Sequence, residues 1–249
     1  MNPALSPDTF GSNCVLVLVI VFTSIIQSVF GVGLLVFGTP MLLLLGYSFE
    51  ATLSVLLPCS IVVSFVQTLH GRGDIRELKR DIPIYILPFV FIGLVFILVS
   101  GTVFNIRLLV GIMMVLIGVT RIFGGLERRV RGFISKRVRS GLVITGLIHG
   151  ATNLGGGPLT IMMNAVYTNK AAVRANIAYG YLLMALTQAA VLFLTGRGEA
   201  DVFTAVLPAI SLATYLVVGK RIFRCSSHAA YHHLMTLLIV LFGFCLIGF

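Results

Sequence analysis

The chain carries one pattern twice. Each copy has a glycine cluster that interrupts an apolar stretch, then a short apolar segment, then a longer one that ends in a Gly-Arg-Gly turn, at residues 71–73 and again at 196–198. The turns are 125 positions apart, about half of the chain, and the same offset aligns Gly31 with Gly156. Internal duplication in a chain made of apolar segments is typical of secondary transporters.

The apolar segments are numerous enough to make lipid the solvent of this chain. Of 249 residues, 58% are apolar and only 10% are charged, with a mean hydropathy of +1.06. No polar stretch is long enough for a separate soluble domain. The pattern predicts ten segments, five in each half: 13–30, 34–46, 50–70, 82–100, 107–123, 140–154, 158–169, 172–195, 201–219 and 232–249.

Two of these segments are too short for a comfortable crossing. Segment 34–46 makes ~20 Å of helix and segment 158–169 makes ~18 Å, against a hydrocarbon core of ~30 Å. Each follows a glycine cluster. We therefore expect each short segment to form a broken or re-entrant hairpin with its predecessor.

The basic residues set the expected orientation. With the N-terminus outside, 16 of the 18 Lys and Arg residues fall in inside loops, and only Arg107 and Arg197 lie outside. Five segments per half insert the second repeat upside down relative to the first. The predicted fold is an all-α polytopic membrane protein with two inverted repeats, at 1–123 and 140–249, joined by a cytoplasmic basic linker at 124–139.

The glycine clusters are the first candidate site. Gly31 and Gly33 in one half, and Gly155, Gly156 and Gly157 in the other, allow the backbone to leave helical geometry. A helix that starts there points unpaired N–H groups and a positive dipole end into the membrane, where a small anion can bind. Polar side chains near the clusters join the predicted site: Ser28, Thr39, Thr152 and Asn153. The alternative is that the glycines only allow close helix packing.

The two long helices after the short segments add polar residues. Ser60, Ser64 and Gln67 lie on one face of segment 50–70, and Asn176 and Tyr179 lie on one face of segment 172–195. We expect Ser60, Ser64, Asn176 and Tyr179 to contribute to substrate binding. Hydrogen bonding between helices is the alternative role of each.

Ionisable groups inside the membrane are rare in this sequence. Every Asp and Glu lies at a segment end or in a loop, which leaves His149 as the titratable side chain beside a glycine cluster. We assign it proton coupling, with a neutral packing histidine as the alternative. The histidines at 228, 232 and 233 lack a Cys or carboxylate partner, so we expect no metal site, no catalytic residue and no cofactor.

The duplicated glycine cluster, short helix and polar-spotted long helix resemble the sulfite exporter TauE/SafE family over essentially the whole chain. Gly31 and Gly33, and residues 155–157, match the family's glycine clusters. The resemblance implies a membrane transporter of small sulfur-containing or organic anions, such as sulfite or sulfoacetate, out of the cytoplasm. Many members carry Thr-Asn-Lys where this chain has Ser-Val-Leu at 54–56, so a lysine available to the anion is absent here.

The predicted function is secondary transport of small anions by alternating access across a bacterial cytoplasmic (inner) membrane. The alternatives are a channel for anions or small solutes and a non-catalytic scaffold subunit. No enzymatic motif is present at membrane depth, so we expect no enzyme. The expected partners are a small anionic substrate and the lipid bilayer, and we expect no nucleic-acid partner. A homodimer is the oligomeric state that we consider.

Overall fold

The computed structural model describes residues 9–71, 75, 78–100, 105–199, 202–219 and 228–248. Residues 72–74 of the first Gly-Arg-Gly turn and its continuation, the basic residues at 76, 220, 221 and 224, and the side chains of the histidines at 228, 232 and 233 lie outside the described part. Within it every regular element is helical. This agrees with the predicted all-α membrane fold.

The described part of the first half contains five helices. They are α1 (Thr9–Phe30), α2 (Leu34–Leu44), α3 (Phe49–His70), α4 (Asp81–Ser100) and α5 (Ile106–Ile122). The sixth, α6 (Gly124–Lys136), occupies the stretch expected to be a linker.

The described part of the second half contains five helices that follow the same order as those of the first. Its helices are α7 (Val138–Thr152), α8 (Gly156–Val166), α9 (Lys170–Leu194), α10 (Val202–Thr214), which continues as a π-helical turn over Tyr215–Gly219, and α11 (His228–Gly248). All ten predicted segments therefore correspond to helices. The short helices α2 and α8 have 11 residues each.

Local sequence explains where the long helices begin. The side chain of Ser48 accepts a hydrogen bond from the N–H of Ala51 at the start of α3, and Asn169 caps α9 by accepting from Ala171 and Ala172. Asn105 caps α5 in the same way. Such caps satisfy N–H groups that the first turn of a helix leaves unpaired.

Helices α3, α4 and α9 are long and apolar enough to span a membrane, and α5 with α6 makes a fourth if the pair is counted as one bent span. Apolar side chains such as Leu18, Val99 and Phe193 are well exposed, whereas Ser24, Thr39 and Gln188 are completely buried. A polar interior under an apolar surface is the arrangement that a lipid environment favours. The chain is a multi-pass membrane protein.

The centre of the molecule is the antiparallel pair α3 and α9. Arg197, just after α9, forms an ion pair of 3.5 Å with Glu50 at the start of α3. At the opposite end, Gly71 after α3 packs against Ala175 near the start of α9. These helices hold the same position in the order of the two halves, and they run antiparallel at this contact.

Two further kinds of packing join a helix of one half to a helix of the other. Helices α4 and α7 pack so closely that a side chain at Gly146 or Gly150 would meet the backbone of α4. Their counterparts are α10 and α1, which share the 2.7 Å hydrogen bond between Ser211 and Ser24. Helices α5 and α11 run antiparallel. Arg121, near the end of α5, donates a hydrogen bond to the hydroxyl of Thr236 in the first half of α11.

Candidate functional site

The two helix breaks have the same backbone geometry. Gly31 follows α1 with φ +77°, and Asn153 follows α7 with φ 62°. The N–H of Gly31 donates to the carbonyl of Gln27, and the N–H of Asn153 donates to that of His149, both at 2.8 Å. A left-handed residue at this position ends a helix and turns the chain. Each break therefore stops one helix and starts a short one.

This geometry corrects the predicted alignment of Gly31 with Gly156. At the breaks Gly31 corresponds to Asn153, and Gln27 to His149, an offset of 122 positions. The offset of 125 applies only to the Gly-Arg-Gly turns. Helix α9 has 25 residues and α3 has 22. These extra residues place the second Gly-Arg-Gly turn nearly one helical turn further from its break than the first one is.

A glutamine from the long helix braces each break. The Nε2 of Gln67 donates to the Gln27 carbonyl at 2.9 Å, and the Nε2 of Gln188 donates to the His149 carbonyl at 3.1 Å. Both carbonyls lie in the last turn before the break, where helix carbonyls lose partners. The equivalent bonds show that α3 and α9 perform the same structural task in the two halves.

The first break is closed by its own side chains. Gln27 donates from Nε2 to the hydroxyl of Ser64 at 2.9 Å, and its Oε1 accepts the N–H of Leu34 at 3.1 Å. The amide therefore caps the N-terminus of α2 and links it to α3. Little hydrogen-bonding capacity of Gln27 is left for a ligand.

At the second break, the corresponding side chain does not close the break with such hydrogen bonds. His149 holds the position of Gln27 and is completely buried; its Nδ1 and Nε2 make no hydrogen bond of good geometry, although the Gln188 side chain lies beside the ring. Its ring packs on that of Tyr181, with 5.8 Å between the centroids. A Cβ at Gly155 would lie 3.0 Å from Nδ1 of His149, so this glycine allows the ring to reach the N-terminus of α8.

The two breaks meet at the centre of the protein. The Nδ2 of Asn153 donates to the hydroxyl of Thr39 at 2.9 Å, which joins the second break to α2. A Cβ at Gly156 would lie 2.7 Å from the Tyr181 hydroxyl and 2.8 Å from a methyl of Val36. Only glycine lets the start of α8 approach both groups.

Several buried polar atoms around this junction lack partners. They include Oδ1 of Asn153, the hydroxyl of Tyr181 and Oε1 of Gln188. The hydroxyl of Ser60 in α3 is also buried without a partner. The Tyr181 hydroxyl lies beside the backbone of Val36, in the first turn of α2, without a hydrogen bond of good geometry. Buried polar groups normally find partners, so such a cluster marks a place for water or a ligand.

Most of the predicted site residues lie at or beside the breaks, although not all have free groups. Ser28 donates to the carbonyl of Ser24 within α1, and the hydroxyl of Thr152 accepts from the N–H of Leu154 at 3.3 Å. Gly157 packs against Ile117 of α5. These three residues shape the breaks.

Tyr179 and Asn176 belong elsewhere. The hydroxyl of Tyr179 donates to the carbonyl of Lys79 beside α4, and Asn176 donates to Ala172 and accepts from Tyr167. Tyr181, which the sequence analysis missed, meets the break instead. Two residues along a helix turn the side chain by about 200°, so Tyr181 and Tyr179 lie on nearly opposite faces. Tyr181 and Gln188 are seven residues apart and therefore lie on the same face of α9. This spacing is the sequence signal that indicates Tyr181.

The junction is electrically neutral apart from the titratable His149. Among the residues that the structure describes, the fully buried polar set contains no Asp, Glu, Lys or Arg. Within the same residues no three metal-ligating side chains lie together. Dipoles, hydroxyls, amides and one imidazole are therefore what this junction offers to a ligand.

The left-handed conformation at the second break gives a stability prediction. Replacing Asn153 by Ala and by Gly removes the same bond to Thr39, but only Gly adopts positive φ without steric cost. We expect N153A to be less stable than N153G by about 1 kcal/mol. Apparent melting temperatures in detergent would measure this difference. Equal temperatures for the two variants would contradict the assigned backbone geometry.

Comparison with known proteins identifies the family. The model of the family described as sulfite exporter TauE/SafE matches residues 16–246, nearly the whole chain. The searches of curated proteins and of solved structures returned no match. The family model covers both halves and both breaks, so the chain belongs to the TauE/SafE sulfite exporter family.

Proposed function

We propose that this protein is a secondary transporter that binds a small anion at the N-terminus of α8 and moves it by alternating access. The observation that carries the proposal is the set of unpartnered groups at that helix end: both ring nitrogens of His149, Oδ1 of Asn153 and the hydroxyl of Tyr181. Membership of a transporter family supports it.

The groups around the α8 N-terminus suit an oxyanion. The positive end of the helix dipole favours negative charge, and the Tyr181 hydroxyl and an imidazole N–H can donate hydrogen bonds to it. The free Oδ1 of Asn153 accepts, so it suits a water molecule or a protonated oxygen of the ligand. In the first half Gln27 occupies the corresponding place. The anion is therefore expected at the second break.

The proposed substrates are sulfite, sulfoacetate or related organosulfonates and carboxylates, exported across the bacterial inner membrane. The family description supports the choice of sulfite. Ser54, at the position where many members carry the Thr-Asn-Lys motif, donates to the Glu50 carbonyl and accepts the N–H of Glu199. Ser54 thus stabilises the chain that follows α9, a structural role. The proposed anion site therefore does not rely on a lysine in this part of α3. We assign the protein no catalytic role.

Alternating access is proposed to come from two inverted halves. The antiparallel contact of α3 with α9, and the matching glutamine bonds at the two breaks, support this arrangement. The break regions then approach the centre from opposite sides of the membrane. A rocking motion of one half against the other would expose the α8 N-terminus to each side in turn.

Transport in proteoliposomes tests the proposal. We expect saturable uptake of radiolabelled sulfite or sulfoacetate with counterflow, which distinguishes a carrier from a channel. Replacing Gly156 by Leu should abolish uptake, because the new side chain would occupy the space between Tyr181 and Val36.

The matched control is Gly11→Leu, since Gly11 has open space around it and also lies in a helix. G11L should transport normally, and both variants should insert into the membrane. Uptake by well-inserted G156L at the unsubstituted rate would contradict the proposed site. Failure of the unsubstituted protein to transport any small anion would contradict the function.

The pH dependence tests the role of His149. A bound anion favours the protonated form of the buried His149 ring, which then places a positive charge beside it. Uptake of sulfoacetate, whose charge is constant between about pH 8 and 6, should therefore rise as the pH falls through this range. H149Q should remove this rise, because glutamine does not titrate. The control is H70Q, since His70 is exposed at the end of α3. A pH profile of H149Q superimposable on that of the unsubstituted protein would exclude His149 from coupling.

Cysteine labelling tests the inverted arrangement. Leu45 and Thr168 are exposed residues that precede α3 and α9. In a background without native cysteines, we expect a membrane-impermeant thiol reagent to label L45C from outside and T168C only from the cytoplasm. Labelling of both from the same side would contradict the inverted repeats.

A further inference from the structure

Helix α6 has a different character from the rest of the chain. The stretch 124–139 contains six basic residues and one acidic residue, Glu127. Its helical part meets α5 at an angle of 88° at Phe123. If α5 runs across the bilayer, α6 therefore runs along its surface. The stretch was expected to be a cytoplasmic basic linker, and its regular helical structure calls for an explanation.

The side chains of α6 separate into two faces. Leu126, Val130, Phe133 and Ile134 follow the i, i+4, i+7, i+8 spacing of one apolar stripe. Arg128, Arg129, Arg131 and Lys136 occupy the rest of the helix circumference and are exposed. An apolar stripe opposite a basic face is typical of helices that lie in the membrane interface.

Only part of the apolar stripe is covered by the protein. Ile134 packs beside Gly141 of α7, where Met162 of α8 also approaches. By contrast, Phe133 is 52% exposed and Leu126 is 38% exposed, and the preceding Phe123 is 61% exposed. The guanidinium of Arg137 lies 5.4 Å from the centre of the Phe133 ring. Cationic groups thus border an uncovered apolar surface.

We propose that α6 is an interfacial helix that binds the anionic phospholipid surface of the membrane. Leu126, Phe133 and Phe123 enter the boundary between headgroups and acyl chains, and the arginines of the opposite face contact phosphate groups. The charge of the stretch selects anionic over zwitterionic headgroups, since each basic residue near such a surface adds attraction. Charge complementarity favours this partner over an apolar protein surface.

A single-tryptophan probe tests this binding without any transport measurement. The chain contains no tryptophan, so F133W introduces the only one. In bilayers of phosphatidylcholine with a minor fraction of brominated lipid, we expect brominated phosphatidylglycerol to quench F133W at least twofold more than brominated phosphatidylcholine at equal content. The preference should fall as salt is added, because salt screens the attraction.

Two variants and a second probe make the result specific. Changing Arg128, Arg129 and Arg131 together to Gln in the F133W background should remove the preference, whereas changing the same three residues to Lys should keep it. The second probe is F193W, made as a separate single-tryptophan variant. Residue 193 is exposed at the end of α9 and far from α6 in the sequence, so F193W should be quenched equally by both lipids.

Three outcomes would overturn the proposal. They are equal quenching of F133W by both lipids, a preference that survives the change to Gln, and no quenching of F133W where F193W is quenched. Because the readout is lipid contact, it remains decisive whether or not the anion transport proposed above is observed.

Discussion

A helix that ends inside a membrane must satisfy its terminal backbone groups without bulk water, and this requirement governs the centre of the protein. Both breaks meet part of it in the same way, by a left-handed residue and a glutamine from the neighbouring long helix. They differ in the side chain one turn before the break. Gln27 caps the short helix α2, whereas His149 leaves its ring nitrogens without partners at α8. Because of this difference, one of the two equivalent breaks is a candidate binding site.

The sequence allowed the number of segments, the short helices and the location of the breaks to be predicted, because lipid imposes a strong hydropathy pattern and glycine marks the turns. It did not give the register between the halves. Asn153 replaces glycine at the left-handed position, and glycines at 155–157 are equally visible in the sequence, so Gly31 was aligned with Gly156 instead. Backbone dihedral angles resolve what a glycine count leaves ambiguous.

The candidate site was predicted in part for a related reason. His149, Asn153 and Gly156 adjoin a break in the sequence, and proximity along the chain was enough to find them. Tyr181 comes from a helix that begins after the break, and its identification requires the rotation of α9 about its axis. The helix α6 was missed because its basic residues satisfied the charge rule for a loop, although its apolar residues follow a helical spacing.

Locating a bound anion is the most direct test of the proposed binding site. Selenite resembles sulfite in shape and charge and scatters anomalously, so crystals grown with it would show its position. If the anion binds as proposed, an anomalous peak lies at the N-terminus of α8, within hydrogen-bonding distance of the Tyr181 hydroxyl and the His149 ring, and it is lost in G156L. A peak confined to the basic residues at 128–139, with none at α8 under saturating selenite, would contradict the proposed site.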